Sequence, residues 1–369
     1  MCGIVGYIGD KEVIQILMDG LSRLEYRGYD SAGAAVISDG KVSIRKEVGK
    51  LKVLKESLKA KPIPGTLGIG HTRWATHGEP SQINSHPHTD CKGNIILVHN
   101  GIIENYQVLK NNLIEEGHTF KSQTDTEVVA HLIEKHYKGN LEEAVRLALK
   151  EVEGAYALGI LCRNEPDKLV AARCGSPLIV GLGKGENYIA SDVPAILSYT
   201  RDVLYPDDYE IIVITRNSVK VTDLDGKNIE KKRTRIEWDA SAAEKGGYPH
   251  FMLKEINEQP RVIKETLMGR ISKEKDNVIL EDMKITPQEL LKMEKIIIIS
   301  CGTAWHACLT GKYMLEEYTR TPVEVDISSE FRYRNPIAND RTLVIPVTQS
   351  GETADTLAGI KEAKKKGAR

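Results

Sequence analysis

The first 225 or so residues alternate between short apolar runs and amphipathic stretches. Runs rich in Val, Ile, Leu and Ala predict strands, whereas apolar residues spaced three and four apart predict helices. Because the strands come in groups separated by pairs of helices, the pattern predicts an α+β four-layer αββα sandwich. The predicted helices are Val13 to Leu24, Thr126 to Tyr137 and Leu141 to Glu151. The predicted strands are Ile4 to Ile8, Ala34 to Ser38, Val42 to Lys46, Leu67 to His71, Ile95 to Val98, Tyr156 to Cys162, Leu169 to Arg173, Leu178 to Leu182, Tyr188 to Ser191, Ile211 to Thr215 and Val219 to Leu224.

The pattern changes near residue 295. Lys295 to Ser300 is a continuous β-branched run, typical of a strand that is buried on both faces, and an amphipathic helix follows to about Thr319. Further alternation of strands and helices predicts a parallel α/β domain. Such a domain takes about 100–150 residues, so we expect it to be incomplete and the sequence to be part of a longer chain. The predicted segments are an αββα domain at 2–225, a linker at 226–250, a helical connection at 251–294 and the α/β domain at 295–369.

The composition excludes several function classes. The 51 basic and 52 acidic residues give a net charge of −1, so a basic surface for nucleic acid or anionic membrane is not expected. Aromatic residues make up only 5% of the chain, which argues against a base-stacking surface. No apolar run is long enough to span a membrane, and the start resembles no signal peptide, so a cytoplasmic protein is expected.

The cysteines and histidines predict no disulfide framework and no metal site. The six cysteines occur at irregular spacings without a C-x-x-C pair. Four histidines precede Cys91 closely, but their spacing matches no standard zinc motif. They are His71, His77, His86 and His88.

Cys2 combines a thiol with a place at the chain start. Removal of Met1 would expose its α-amine, whose pKa of about 7.7–8.0 suits it to accept a proton from a thiol with a pKa of about 8.5. One residue would then be both nucleophile and base, as in an N-terminal nucleophile hydrolase. From position alone, a small buried residue on the first strand is the favoured interpretation.

Three further segments change that interpretation. Arg73, in the segment His71 to Gly78, has the planar group suited to a carboxylate, although the segment could also be a solvated loop anchored by Trp74. Asn100 and Gly101 end a predicted strand with an amide and an N–H suited to an oxyanion hole, or form a common Asn-Gly turn. Asp125 opens a helix, where it could bind an ammonium group or cap the helix.

Two turns of the second domain are typical of anion binding. Cys301-Gly302-Thr303 and Thr348 to Thr353 each follow an apolar strand and open a helix. Backbone N–H groups and hydroxyls would therefore converge at the carboxyl edge of a parallel sheet. Two such turns in succession favour phosphate binding over ordinary helix capping.

Five segments resemble the glutamine–fructose-6-phosphate aminotransferase (glucosamine-6-phosphate synthase) family, and the likeness continues along the whole chain. The segments are Cys2 to Gly6, Leu24 to Gly33, His71 to Pro80, His99 to Asn105 and Thr124 to Glu127. The resemblance implies an N-terminal nucleophile amidotransferase domain followed by a sugar isomerase (SIS) domain.

The resemblance also implies roles for individual residues. Cys2 would be the nucleophile with its α-amine as base, Asn100 and Gly101 would stabilise the oxyanion, and Arg27 would support the nucleophile. The implied glutamine site comprises Arg73 for the α-carboxylate, Asp125 for the α-ammonium, Trp74 on a closing loop, and Thr76 and His77 in the pocket wall. The implied fructose 6-phosphate contacts are Thr303, Thr348, Gln349, Ser350 and Thr353.

The activity that the resemblance implies is the glutamine-dependent synthesis of glucosamine 6-phosphate, the first step of hexosamine and UDP-N-acetylglucosamine biosynthesis. It implies no cofactor, and a homodimer in the full-length form. This chain would carry the glutamine-hydrolysing half and part of the phosphosugar site. Ala304 replaces a serine that is usual in the family, which removes one hydroxyl near the phosphate. The alternatives are a glutaminase domain that serves another acceptor and a non-catalytic phosphosugar-binding protein.

Overall fold

The computed structural model describes residues 2–25, 30–75, 77–237, 248–272, 277–280, 283–349 and 353–369. The chain divides into two compact units, Met1–Asp282 and Met283–Arg369. The boundary between them falls inside the predicted helical connection 251–294, and the finer division into four segments stays a prediction.

The strands of both units are numbered in chain order. They are β1 (Gly3–Ile8), β2 (Ser31–Ser38), β3 (Lys41–Val48), β4 (Leu67–Arg73), β5 (His88–Thr89), β6 (Ile95–Ile103), β7 (Gly154–Cys162), β8 (Leu169–Cys174), β9 (Ile179–Leu182), β10 (Asn187–Ala190), β11 (Asp202–Leu204), β12 (Glu210–Ile214), β13 (Val219–Thr222), β14 (Thr234–Arg235), β15 (Ile271–Ser272), β16 (Asn277–Val278), β17 (Lys295–Ser300), β18 (Val323–Ile327) and β19 (Thr342–Val347). The α-helices are α1 (Val13–Ser22), α2 (Leu51–Ala60), α3 (Tyr106–Glu115), α4 (Thr126–His136), α5 (Leu141–Glu151), α6 (Phe251–Leu267), α7 (Pro287–Leu290), α8 (Gly302–Thr319), α9 (Ser328–Tyr333) and α10 (Ala354–Lys365).

Two antiparallel sheets form the centre of the first unit. One has the strand order β14-β11-β9-β10-β1-β4-β2-β3 and the other β13-β12-β8-β7-β6-β5. Ile4 and Ile69 of the first sheet pack with Ile96 and Val98 of the second in one buried cluster between the sheets. Burial of this apolar surface drives the two sheets together.

Helices cover the outer faces of both sheets. Leu17 and Leu21 of α1 and Leu54 of α2 pack on the first sheet. On the second sheet, α3, α4 and α5 bury apolar residues such as Val129 and Leu132. The layers are therefore helix, sheet, sheet, helix, and the predicted αββα fold class is confirmed.

The second unit has a parallel sheet of order β18-β17-β19. Ile296 and Ile298 of β17 pack on one face with Cys308 of α8. Ile297 and Ile299 pack on the other face. Their partners there are Phe331 of α9 and Ala363 of α10. Both faces of β17 are buried, which explains its uninterrupted β-branched sequence. The predicted parallel α/β class is confirmed.

The predicted helical connection 251–294 begins with helix α6, and none of the residues of α6 is buried. Within the part of the chain that the structure covers, no helix combines the length and apolar character that a membrane crossing requires.

Candidate active site

Cys2 immediately precedes β1, which lies in the middle of the eight-stranded sheet. Its Sγ accepts a hydrogen bond from the Trp74 backbone N–H at 3.2 Å and lies 3.5 Å from the Trp74 carbonyl oxygen. Trp74 directly follows β4, the neighbour of β1, and this pairing places the two residues together. Burial raises the pKa of the Cys2 thiol, although the Trp74 N–H acts in the opposite direction. The thiol is therefore protonated at neutral pH, and a thiolate nucleophile requires a base.

Asn100 presents its amide group to Cys2. The Asn100 Nδ2 donates to the Cys2 carbonyl oxygen at 3.1 Å, and the Asn100 Oδ1 lies 3.0 Å from His71 Nε2. That nitrogen also lies 3.0 Å from the His99 carbonyl oxygen. Both neighbours are acceptors, so His71 carries its proton on Nε2. This proton orients the Asn100 amide, with the NH₂ group towards Cys2.

Gly101 continues β6 with a backbone φ of +134°. A Cβ at this position would lie 2.0 Å from the Ala155 carbonyl oxygen of β7, so only glycine fits. Asn100 and Gly101 pair with Ala157 and Tyr156 inside the sheet. The prediction that the strand ends at Val98, and the alternative of an Asn-Gly turn, are therefore wrong.

Arg73 is buried at the end of β4, with 3% of its surface exposed. Its guanidinium donates to the carbonyl oxygens of His77 at 2.5 Å and Gly78 at 2.9 Å. The Arg73 side chain thereby holds His77 and Gly78 against the end of β4.

Asp125 is also buried and precedes α4. Its side chain makes no capping hydrogen bond to α4. The carboxylate instead accepts the Ile103 backbone N–H at 2.8 Å, so it lies at the end of β6. Its other oxygen is 4.0 Å from His77 Nδ1. His77 therefore lies close to both proposed glutamine-binding residues, since its side chain is near Asp125 and its carbonyl oxygen accepts from Arg73.

Three predicted site residues, Arg27, Thr76 and Ser350, lie outside the residues that the structure describes. Trp74 lies beside Cys2, where its backbone contacts the thiol.

Sequence patterns did not single out two carboxylates that organise this region. Asp30 accepts hydrogen bonds from the Ala75 N–H and from the Ser31 hydroxyl. Glu127 accepts the backbone N–H groups of Lys121 at 2.9 Å and Ser122 at 2.6 Å, and so fixes the segment that leads to Asp125. Both residues lie in the segments that carry the family resemblance, which is the only signal that could have found them.

Four buried histidines lie close together next to Asn100. They are His71, His86, His88 and His99. The rings of His71 and His86 stack with centroids 4.1 Å apart, and His88 meets His86 edge-on at 4.7 Å. The His99 backbone N–H donates to His86 Nδ1 at 3.2 Å. Burial lowers the pKa of all four rings, to about 3 for His71. The histidines are therefore neutral at physiological pH.

Acidification is expected to destabilise the first unit through these four histidines. Their pKa values are lower in the folded state than the usual 6.5 of an unfolded chain, so the unfolded chain binds more protons below about pH 6.5. Each ring then lowers the free energy of unfolding by up to about 1.4 kcal/mol per pH unit. Urea unfolding at pH 7, 6 and 5 measures this loss. His88→Gln should flatten the slope, and equal stability at pH 5 and 7 would contradict the prediction.

In the second unit, the predicted anion-binding residues follow β17 and β19. Both strands end at the same edge of the parallel sheet, as the pairing of Ser300 with Val347 shows. The hydroxyls of Thr348 and Thr353 lie 2.8 Å apart. Thr303, in the first turn of α8, and Gln349 are exposed. The structure thus brings the described members of this set to one sheet edge.

Two family profiles match the two units. A profile described as a glutamine amidotransferase domain matches residues 71–198, and one described as a SIS domain matches residues 289–369. The protein carries a glutamine amidotransferase domain followed by a SIS domain.

Curated relatives match both domains together. The glutamine–fructose-6-phosphate aminotransferase of Caldanaerobacter subterraneus is 58% identical over 369 residues, and that of Thermus thermophilus is 52% identical over the same length. Each match covers the whole chain and 60% of the relative. In sequence, the glutamine amidotransferase and SIS domains correspond to the amino-terminal part of that family, as the resemblance implied.

Solved structures support the fold of the glutamine amidotransferase domain. The glutamine phosphoribosylpyrophosphate amidotransferase of B. subtilis has a TM-score of 0.56 at 20% identity, and the match covers 88% of this chain and 65% of that one. At this identity the likeness concerns the fold alone. It agrees with the predicted αββα fold class.

Proposed function

We propose that the glutamine amidotransferase domain hydrolyses glutamine at Cys2 and releases ammonia. The observation that carries this proposal is the contact of Asn100 with Cys2. One amide nitrogen, oriented by His71, lies 3.1 Å from the backbone of the residue whose thiol would attack. The Asn100 NH₂ group is thereby held beside Cys2.

The first chemical step is attack of the Cys2 sulfur on the side-chain amide carbon of glutamine. The α-amine of Cys2, free after removal of Met1, accepts the thiol proton, because burial keeps the thiol protonated at neutral pH. The amide carbonyl becomes an oxyanion, which the Asn100 amide and the Gly101 N–H stabilise. When the C–N bond breaks, the α-ammonium returns the proton to the departing nitrogen as ammonia. Water then hydrolyses the thioester to glutamate and the thiol.

Binding of glutamine as a zwitterion requires a cation and an anion. Arg73 and Asp125 supply these charges, and both are buried around the segment that contains His77. Charge-assisted hydrogen bonds to such clamps orient the side-chain amide towards the nucleophile. Trp74, Thr76 and His77 complete the proposed pocket, and Arg27 supports Cys2.

For the whole protein, we propose the aminotransferase activity named for its relatives, with fructose 6-phosphate as acceptor. The SIS domain would bind the phosphosugar with Thr303, Thr348, Gln349, Ser350 and Thr353. The chain spans about 60% of the length of the curated relatives, and the assembly proposed for the full-length protein is a homodimer.

Labelling with an electrophilic diazo-ketone analogue of glutamine tests the proposed nucleophile. The expected result is one adduct per chain, located by peptide mass spectrometry on Cys2 and prevented by excess glutamine. The same spectra should show that Met1 is absent from labelled chains. Labelling of another cysteine instead, or labelled active protein that retains Met1, would contradict the mechanism.

A further inference from the structure

A second cluster of reactive side chains lies in the glutamine amidotransferase domain, apart from the proposed glutamine pocket. Cys91 lies in the turn between β5 and β6, His118 follows α3, and His131 and Glu134 belong to α4. One atom of each residue lies within 4.8 Å of the corresponding atoms of the other three. The short contacts within the cluster join Cys91 Sγ, His118 Nδ1, His131 Nδ1 and Glu134 Oε2.

Four of the six separations between the candidate ligand atoms are close to those of a tetrahedral metal site. Cys91 Sγ lies 3.8 Å from His118 Nδ1 and 3.5 Å from His131 Nδ1. Glu134 Oε2 lies 3.1 Å from His118 Nδ1 and 3.4 Å from His131 Nδ1. Zinc binds sulfur at about 2.3 Å and nitrogen or oxygen at about 2.0–2.2 Å, which separates tetrahedral ligand atoms by roughly 3.3–3.8 Å. An ion at the centre would therefore need little movement of the side chains.

The surroundings supply the secondary contacts that metal ligands use. The Thr119 backbone N–H donates to Cys91 Sγ at 3.4 Å and so helps to orient the sulfur. His131 is 1% exposed and turns its second nitrogen towards Glu127 Oε1, 3.6 Å away. A carboxylate behind a metal-bound histidine fixes the ring and strengthens its donor nitrogen. In this structure His131 Nε2 is a buried atom without a hydrogen-bond partner.

We propose that Cys91, His118, His131 and Glu134 bind one Zn²⁺ ion. Four protein ligands close the coordination sphere, so the ion has a structural role and activates no water. It would join the turn after β5, the segment after α3 and helix α4. The segment after α3 leads to Asp125. The ion would therefore hold in place the chain that carries this residue of the proposed glutamine pocket.

Metal analysis of the whole chain tests this site. The protein is produced without a polyhistidine tag in zinc-supplemented medium, and zinc is measured by mass spectrometry after gel filtration. We expect about one zinc per chain, and at least a tenfold lower content in Cys91→Ser and His118→Asn, whose residues lie towards the surface. His136→Asn, on the same helix but outside the cluster, is the matched control and should retain the ion.

Cobalt substitution and competition distinguish the site from a metal-free hydrogen-bonded cluster. Co²⁺ should give the intense visible bands of a tetrahedral ion and a thiolate-to-cobalt charge-transfer band, which Cys91→Ser should lose. A chromophoric chelator should lower the unfolding temperature of the natural chain but not of Cys91→Ser. If the natural chain competes for Zn²⁺ no better than Cys91→Ser, the proposal is wrong. Cys2→Ala should bind the ion normally, so this result is independent of the proposed glutaminase.

Discussion

Replacement of Cys2 by alanine is expected to lower the rate of ammonia release from glutamine by at least about four orders of magnitude. The substitution removes the sulfur that forms the thioester but keeps the α-amine, and neither Asn100 nor Arg73 loses a contact with another side chain. Glutamine should therefore still bind with an affinity within a few-fold of the natural value. Coupled assay of ammonia and calorimetric titration with glutamine measure the two quantities.

The matched control for this variant is Cys308→Ala. Cys308 is a buried thiol of the SIS domain, so its loss tests whether removal of any thiol affects the assay. It should leave ammonia release unchanged. Ammonia release by Cys2→Ala at a substantial fraction of the natural rate would exclude Cys2 as the nucleophile.

Substitution of Asn100 by alanine should have the second largest effect, a fall in kcat of about 10²–10³-fold with little change in KM. The Asn100 NH₂ group would stabilise charge that develops only after attack, so its loss acts on the transition state and not on glutamine binding. Steady-state kinetics of ammonia release separate the two constants.

Asn112→Ala provides the comparison for Asn100→Ala. Asn112 is an exposed residue of α3, and its substitution should leave both constants unchanged. Thermal unfolding of each variant shows whether β6 remains folded without the amide. An Asn100→Ala enzyme with kcat within threefold of the natural value would remove Asn100 from the oxyanion site.

Much of the fold could be predicted from the local pattern of apolar and polar residues. The buried run at β17 predicts a strand with two covered faces, and Ile297 and Ile298 do pack on opposite sides. By contrast, α2 and α3 are absent from the predicted elements. α2 buries Leu51, Leu54 and Leu58, and this spacing of three and four residues is the pattern of an amphipathic helix, so the sequence held a signal for α2 that the prediction missed.

The geometry of the site depends on contacts that no local pattern encodes. The local sequence Asn100-Gly101 is compatible with a turn, because Asn-Gly pairs are common in tight hairpin turns. It remains in β6 because Gly101 adopts a positive φ against Ala155, a residue 54 positions later. Asp125 similarly has the sequence position of a helix cap, but its carboxylate bonds to Ile103 of another element.

The cysteine–histidine cluster shows the same limit. Along the sequence, Cys91 is grouped with histidines that precede it, and that grouping predicted no metal site. In the fold, His86 and His88 pack inside the domain near Asn100, whereas Cys91 meets His118 and His131. The spacing of 27 and 40 residues between these partners corresponds to no compact zinc motif.

The position of Cys2 directly before β1 also limits how the protein can be prepared for activity measurements. Neighbouring strands flank β1 on both sides, and the Cys2 carbonyl is already bonded to Asn100. A fusion partner or affinity label attached upstream would convert the terminal amine into an amide and abolish its basicity. Recombinant material intended for activity measurements should therefore carry any such label at the opposite end, or a leader that a protease removes immediately before the cysteine.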